Sequence, residues 1–197
     1  MGKLTRSLSF WTLEQFNQVL PYVTDVSART ALLALFYDGM CYEELLALTP
    51  ADLDYTAGTI SITQSLQHKS TEDIITGPKT SNGVRTISMP SVITEAIMAY
   101  CNMQYGLSDR DRIFSFTKSL IRGNMKRCAT KADVPLIRIH DLRHSHVSLL
   151  IDMDFSPHLI AEKIGDTVQM VNSTYGHLYP NQHQAVADKL NALIVPN

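Results

Sequence analysis

Apolar positions recur at helical spacing along most of this chain and alternate in one short stretch, so the pattern predicts helices on either side of a small sheet. Phe10-Trp11 precede Thr12-Leu13-Glu14-Gln15, a capping-box pattern with an apolar residue just ahead of it. A helix is therefore expected from Thr12, with Phe16, Val19 and Leu20 as its stripe. From about Ser27 to Phe36 the chain is apolar nearly all round, which predicts a buried helix stopping at Asp38-Gly39. A third helix should run from near Tyr42 to around Leu48, and Thr49-Pro50-Ala51-Asp52 has the cap and first-turn proline of a short helical turn. The period then drops to two at Thr59–Thr63 and Arg85–Met89, with a weaker patch at Asp73–Ile75 and turns at Gly77-Pro78 and Asn82-Gly83. Helical spacing resumes at Ser91 through Ala96, Ile97, Tyr100 and Met103. It continues over Ser119 to Ala132 before Pro135, from His140, from Ser156-Pro157 to Gly165-Asp166, in a short run to Tyr175, and from Gln182 to Ile194. With no repeat and no interior linker, the reading is one mainly helical α+β domain with a small antiparallel sheet inserted.

Composition narrows the class. At 197 residues the chain can bury a sizeable core, and its three cysteines, Cys41, Cys101 and Cys128, are too few and too scattered for a disulfide framework or a zinc ribbon. No stretch reads as a signal peptide or a bilayer span, so a cytoplasmic protein with no membrane partner is expected. The net charge of −2 argues against a surface that is basic throughout, yet Lys118, Arg122, Lys126, Arg127, Lys131, Arg138 and Arg143 face only Asp133 and Asp141 in the same segment.

Within that basic third, His140 and Arg143 lie one turn apart at the start of a helix, with Asp141 where the helix dipole favours an acid. Leu142, His146, Leu149 and Leu150 share the opposite stripe, which leaves His140 and Arg143 outward and reads His146 as a core histidine. An imidazole, a guanidinium and free backbone N–H groups suit a phosphate oxygen. The His140/His144 spacing also suits two metal ligands, but Arg143 would stand beside the cation and no Glu follows the first His, so no metal site is expected. With Lys79 beside the last hairpin and Tyr175 about thirty residues on, His140 and Arg143 compose metal-free phosphoryl transfer. A phenol attacks, cations hold the non-bridging oxygens and a lysine protonates the leaving alkoxide.

These residues, in this order, resemble the catalytic domain of the tyrosine recombinases, the phage-integrase family. Phe10-Trp11-Thr12-Leu13-Glu14 is similar to that domain's opening, Asp38 to Leu48 to its first box and Pro78-Lys79-Thr80 to its hairpin lysine. His140-Asp141-Leu142-Arg143-His144 is similar to the second box, and Ile164-Gly165-Asp166-Thr167 with Thr174-Tyr175-Gly176-His177 to the third. The resemblance implies that Tyr175 forms a 3'-phosphotyrosine, that Lys79 is the general acid, and that His140 and Arg143 clamp the phosphate. Lys118, Arg122, Lys126, Arg127 and His177 are expected to contact DNA. It further implies no cofactor, double-stranded attachment-site DNA as partner, and a homo-oligomer, a tetrameric synapse, on that DNA. Residues 1–197 would be a single catalytic domain, a fragment without the N-terminal DNA-binding domains of the family. The apolar stripe of its last helix suits packing on its own domain, and the resemblance offers the alternative that this helix docks on a neighbouring subunit. Two positions depart from the family: Cys41 stands where the first box carries arginine, and Asp166 where the third carries His or Trp. A thiol cannot supply a cation, so the alternative is an impaired DNA-binding or assembly module with the same fold.

Overall fold

A computed structural model describes residues 8–69, 72–78, 80–180, 188 and 190–193. The expected capping box opens α1 (Leu13–Val19): the Gln15 N–H donates to Thr12 Oγ1 at 3.2 Å, and the Thr12 N–H donates to Gln15 Oε1 at 3.1 Å. Asp25 caps α2 (Val26–Tyr37), accepting from the Ala28 N–H at 2.8 Å. The all-round apolar character of α2 has the expected result, since Ala28, Ala31, Leu32, Ala34, Leu35 and Phe36 are buried and Phe36 stacks on Phe16 with ring centroids 3.9 Å apart. Gly39, in the left-handed region at φ 66°, then turns the chain, and no side chain fits there because the His146 ring lies against its Cα. The next helix, α3 (Tyr42–Leu45), is shorter than the expected run to Leu48, although the chain still coils as far as the 3-10 turn Pro50–Asp52.

The sheet differs from expectation by dividing in two. β1 (Leu53–Asp54), β2 (Thr59–Ile62) and β5 (Arg85–Ser88) form one antiparallel sheet in the order β1-β2-β5, with Ile60 opposite Ile87. β3 (Ser65–Lys69) and β4 (Glu72–Thr76) form a separate hairpin in which Leu66 faces Ile75. The weak Asp73–Ile75 patch therefore pairs with a strand that alternation does not reveal. The Asn82-Gly83 turn is a short 3-10 segment, Ser81–Gly83.

The sheet is followed by α4 (Ser91–Asn102), α5 (Lys118–Lys131), α6 (Asp141–Asp152), α7 (Pro157–Ile164) and α8 (Val168–Tyr175). Ser156 caps α7, the left-handed Gly165 ends it and Thr167 caps α8, so three residues fix the sharp α7–α8 corner. The 3-10 turn Gly176–Leu178 follows at once. The expected Gln182–Ile194 helix lies largely outside the described residues.

Among the described residues the buried apolar side chains form two clusters. The larger runs from Trp11 through α2, the strands, α4 and α5 to Leu142. The smaller holds Val147, Ile151, Ile160, Ala161, Ile164, Val171 and Tyr175. α6 contributes to both, and its first turn, with His140 before it, stands where they meet.

Candidate active site

The second-box turn is built by Asp141, which is 1% exposed and accepts from the Arg138 N–H at 2.8 Å and from the Arg138 guanidinium at 2.7 Å. These bonds stabilise the ionised carboxyl against the opposing effect of burial and leave its pKa below the usual value. With that turn closed, His140 sits exposed at the helix start. Arg143 does not point outward, as its helical position suggested. Its side chain is 11% exposed, donating through Nη1 to the Gly39 carbonyl at 3.2 Å and through Nη2 to the Ile164 carbonyl at 2.6 Å. The guanidinium thus spans the first-box turn and the end of α7, with the Asp166 carboxylate 3.9 Å away. The Ile164 carbonyl at the end of α7 has no partner within its helix and is a strong acceptor, and together with the Gly39 carbonyl of the turn it draws the side chain inward.

Tyr175 projects from α8 into the smaller cluster and is 5% exposed. Its hydroxyl lies 2.6 Å from His144 Nδ1, and the His144 ring meets the His140 ring edge-on at 5.2 Å. Burial pushes the Tyr175 hydroxyl up to about 12, with Arg143 pulling the other way and Asp166 and Cys41 adding to the rise. Burial, then the neighbouring His140, lowers the pKa of His144, and partial desolvation with Arg143 lowers that of the otherwise exposed His140, so both shifts favour the neutral imidazoles.

Cys41 lies beside Arg143 and Tyr175, but its thiol is not activated. The charge of Arg143 favours a thiolate, yet burial outweighs it and raises the pKa. The Cys41 N–H donates to Glu44 Oε2 at 2.8 Å, and the Glu44 carboxylate receives both ends of the Arg85 guanidinium at 3.0 Å. Arg85 also donates through Nε to the Lys163 carbonyl at 2.9 Å. One buried strand arginine therefore ties the first-box turn to α7, a role nothing in the local pattern announced. Asp166 accepts from the Thr167 N–H at 2.8 Å, just ahead of the cap of α8.

His140, Arg143, Cys41, Asp166 and Tyr175 are thus gathered at one place, and Lys79 lies outside the described residues. His144, which the sequence offered only as an alternative metal ligand, is the group that touches the tyrosine. Its position four residues after His140 was the available signal, because that spacing puts both rings on one helix face. Among the described residues no group of three or more His, Cys, Asp or Glu side chains is placed to hold a metal ion. Beside His140 a groove of about 1070 Å³ opens, lined by Lys118, Arg122, Lys126, Arg138 and Leu136. Arg127 does not line it, and instead donates to Asn124 Oδ1 at 2.5 Å. Lys118 stands 5.4 Å above the Tyr42 ring and 3.5 Å from the Glu43 carboxylate. His177 is exposed in the turn after Tyr175.

Known proteins share this arrangement at the level of fold and family. The chain is 29% identical to the ICEBs1 integrase of Bacillus subtilis (strain 168), covering 97% of this chain and 56% of the relative. It is 23% identical to the prophage integrase IntR of Escherichia coli (strain K12), covering 79% and 44%. The chain spans about half the length of the curated relatives it matches. The Tn1549 transposon integrase, solved with circular intermediate DNA, superposes with a TM-score of 0.80 at 19% identity over 98% of this chain and 70% of that one. The catalytic domain of bacteriophage HP1 integrase gives 0.60 at 18% identity over 95% and 97%. No helix among the described residues is long and apolar enough to cross a membrane. Residues 6–182 match the model of the phage integrase family, and by that match the chain belongs to the family.

Proposed function

We propose that this chain is the strand-transferring part of a site-specific DNA recombinase of a mobile element, acting in the cytoplasm on double-stranded DNA through a 3'-phosphotyrosine. The observation that carries the reading is the convergence of the Tyr175 hydroxyl from α8 with Arg143 and the His140/His144 pair from the start of α6, two segments about thirty residues apart, beside a groove lined with Lys118, Arg122, Lys126 and Arg138. Tyr175 attacks the phosphorus, and Arg143 and His140 hold the non-bridging oxygens. The basic groove carries the flanking backbone, and Lys79 protonates the departing 5'-oxygen. The energy of the broken phosphodiester is kept in the phosphotyrosine, so rejoining needs no nucleotide. The names of the relatives, integrases of an integrative element and a prophage, support the mobile-element assignment. The complex of the Tn1549 integrase with circular intermediate DNA supports DNA as partner, and a tetrameric synapse on that DNA is part of the same proposal.

A specific observation favours a second reading, an assembly module with impaired chemistry. Cys41 is half-buried with its thiol held neutral where the family carries a cation. An arginine on a transferring phosphoryl group contributes about 10³- to 10⁵-fold in rate. The test is covalent trapping on nicked duplexes with a randomised core. An adduct formed by the chain as written and lost with Tyr175→Phe supports the enzyme. An adduct that appears only with Cys41→Arg supports the impaired module, and none with either variant refutes the enzyme reading.

A further inference from the structure

We propose that His144 is a catalytic residue of this site: its Nδ1 takes the proton of the Tyr175 hydroxyl as the tyrosine attacks phosphorus. The inference rests on the recombinase reading above and adds to it the acceptor of the nucleophile's proton.

Geometry carries the assignment. Among the described side chains, His144 Nδ1 is the partner bonded to the Tyr175 hydroxyl, at 2.6 Å, within the range of a productive proton transfer. Alternatives nearby are engaged or unsuitable. The Asp166 carboxylate accepts from the Thr167 N–H and faces Arg143, the Cys41 thiol is held neutral by burial, and Arg143 carries no lone pair. His140 reaches the tyrosine only across the His144 ring.

The need for a base follows from the tyrosine's surroundings. A phenol whose pKa is pushed up to about 12 is ionised in only about 1 molecule in 10⁵ at pH 7. His144 is available to accept because burial and its His140 neighbour keep it neutral, and with Nε2 carrying the ring's own proton its Nδ1 lone pair points to the hydroxyl. The step balances as follows. The bond from Tyr175 Oη to phosphorus forms while the Oη proton passes to His144 Nδ1, giving an imidazolium. The bond from phosphorus to the 5'-oxygen breaks, and that oxygen leaves with the electron pair and takes a proton from the general acid, the role proposed for Lys79. In rejoining, the 5'-hydroxyl attacks, gives its proton back to that acid, and His144 returns a proton to the departing tyrosine.

The experiment uses the chain as written and its Cys41→Arg variant, each with His144 or with His144→Asn. Asparagine keeps a polar group near Oη but accepts no proton at these pH values. The probe is a duplex library with a randomised core and 5'-bridging phosphorothiolate linkages, whose thiolate leaves without a general acid. The expected result is a fall in adduct-forming rate of about 10²- to 10⁴-fold at pH 7. The deficit should shrink about tenfold for each unit of rising pH, as hydroxide in solution replaces the imidazole. A wild-type rate in His144→Asn, or a deficit of constant size across pH, overturns the proposal. An adduct that survives Tyr175→Phe, or none from any variant, defeats the recombinase reading itself. In that last case ¹⁵N NMR of the DNA-free protein still decides the hydrogen bond: a proton found on Nδ1 of His144 instead of Nε2 removes the acceptor and the proposal with it.

Discussion

Replacing Gly39 with alanine isolates how tightly the first-box turn is packed. Gly39 and Gly58 have nearly the same backbone, φ 66° and 64°, so an alanine at either meets a similar left-handed cost of roughly 1–2 kcal/mol. Their surroundings differ. At Gly58 an added Cβ has its nearest neighbours at 3.9 and 4.0 Å, whereas at Gly39 it would overlap His146 Cδ2 and lie 2.8 Å from Cγ and Nε2. The His146 ring cannot swing away cheaply: it is 1% exposed and its Nδ1 is bonded to the Phe36 carbonyl at 2.9 Å. Overpacking of this kind costs about 1–3 kcal/mol, and a strained hydrogen bond adds about 1. Gly39→Ala should therefore destabilise by roughly 3–6 kcal/mol against roughly 1–2 for Gly58→Ala. Urea denaturation read by circular dichroism at a common slope measures the difference. A His146→Ala background should close most of the gap, because the clash is then absent. Equal midpoints for the two single variants in the native background would refute the reasoning.

Two further perturbations follow from the buried polar groups behind the site. Burial lowers His146 to about 3, so below pH 6.5 the unfolded chain binds a proton the folded chain refuses; stability is full above 6.5 and falls by about 1.4 kcal/mol per pH unit down to about 3. His146→Phe should flatten that acid limb by one proton in denaturation curves taken from pH 3.5 to 7. Asp38 works with the opposite sign. Burial raises it to about 7 against the offsetting Lys163, so its penalty is absent below pH 3.8 and complete above 7, and Asp38→Asn should gain up to roughly 4 kcal/mol at pH 8 and nothing at pH 3.5. For the Arg85–Glu44 pair, whose side chains are 6% and 10% exposed, Arg85→Met should cost about 3–5 kcal/mol in the urea midpoint. Adding Glu44→Gln should recover part of it, since the uncompensated buried carboxylate is then gone.

What the sequence made legible is local. Thr12, Asp25, Ser156 and Thr167 announce helix starts because a capping side chain bonds within three residues of itself. The ordered boxes located Cys41, Arg143, Asp166 and Tyr175, which the fold brings together. What stayed hidden is long-range or depends on burial. β3 reads Ser-Leu-Gln-His-Lys, with Leu66 as its one large apolar residue, so no alternation marks it. Arg85 looked like an ordinary strand residue, and its carboxylate partner lies 41 positions away. The helical wheel put Arg143 outside because a wheel does not know of carbonyls arriving from Gly39 and Ile164. At Cys41 the pattern shows neither the Arg143 charge nor the desolvation that outweighs it, because both come from packing.

The division of the apolar interior gives the tyrosine its own mechanical history. Tyr175 belongs to the smaller cluster, whose members come from the later part of α6, from α7 and from α8, while the bulk of the molecule closes around α2. The smaller cluster holds α7 and α8 with fewer buried side chains than the larger, so this corner is expected to open as a unit at a fraction of the cost of global unfolding. Arg143 and Arg85 are the rivets across that seam, each bonded to a carbonyl near the end of α7 and to a group in or beside the first-box turn. Amide hydrogens in α8 should consequently exchange well ahead of those in α2, and either rivet's removal should quicken α8 while leaving α2 nearly as slow as before.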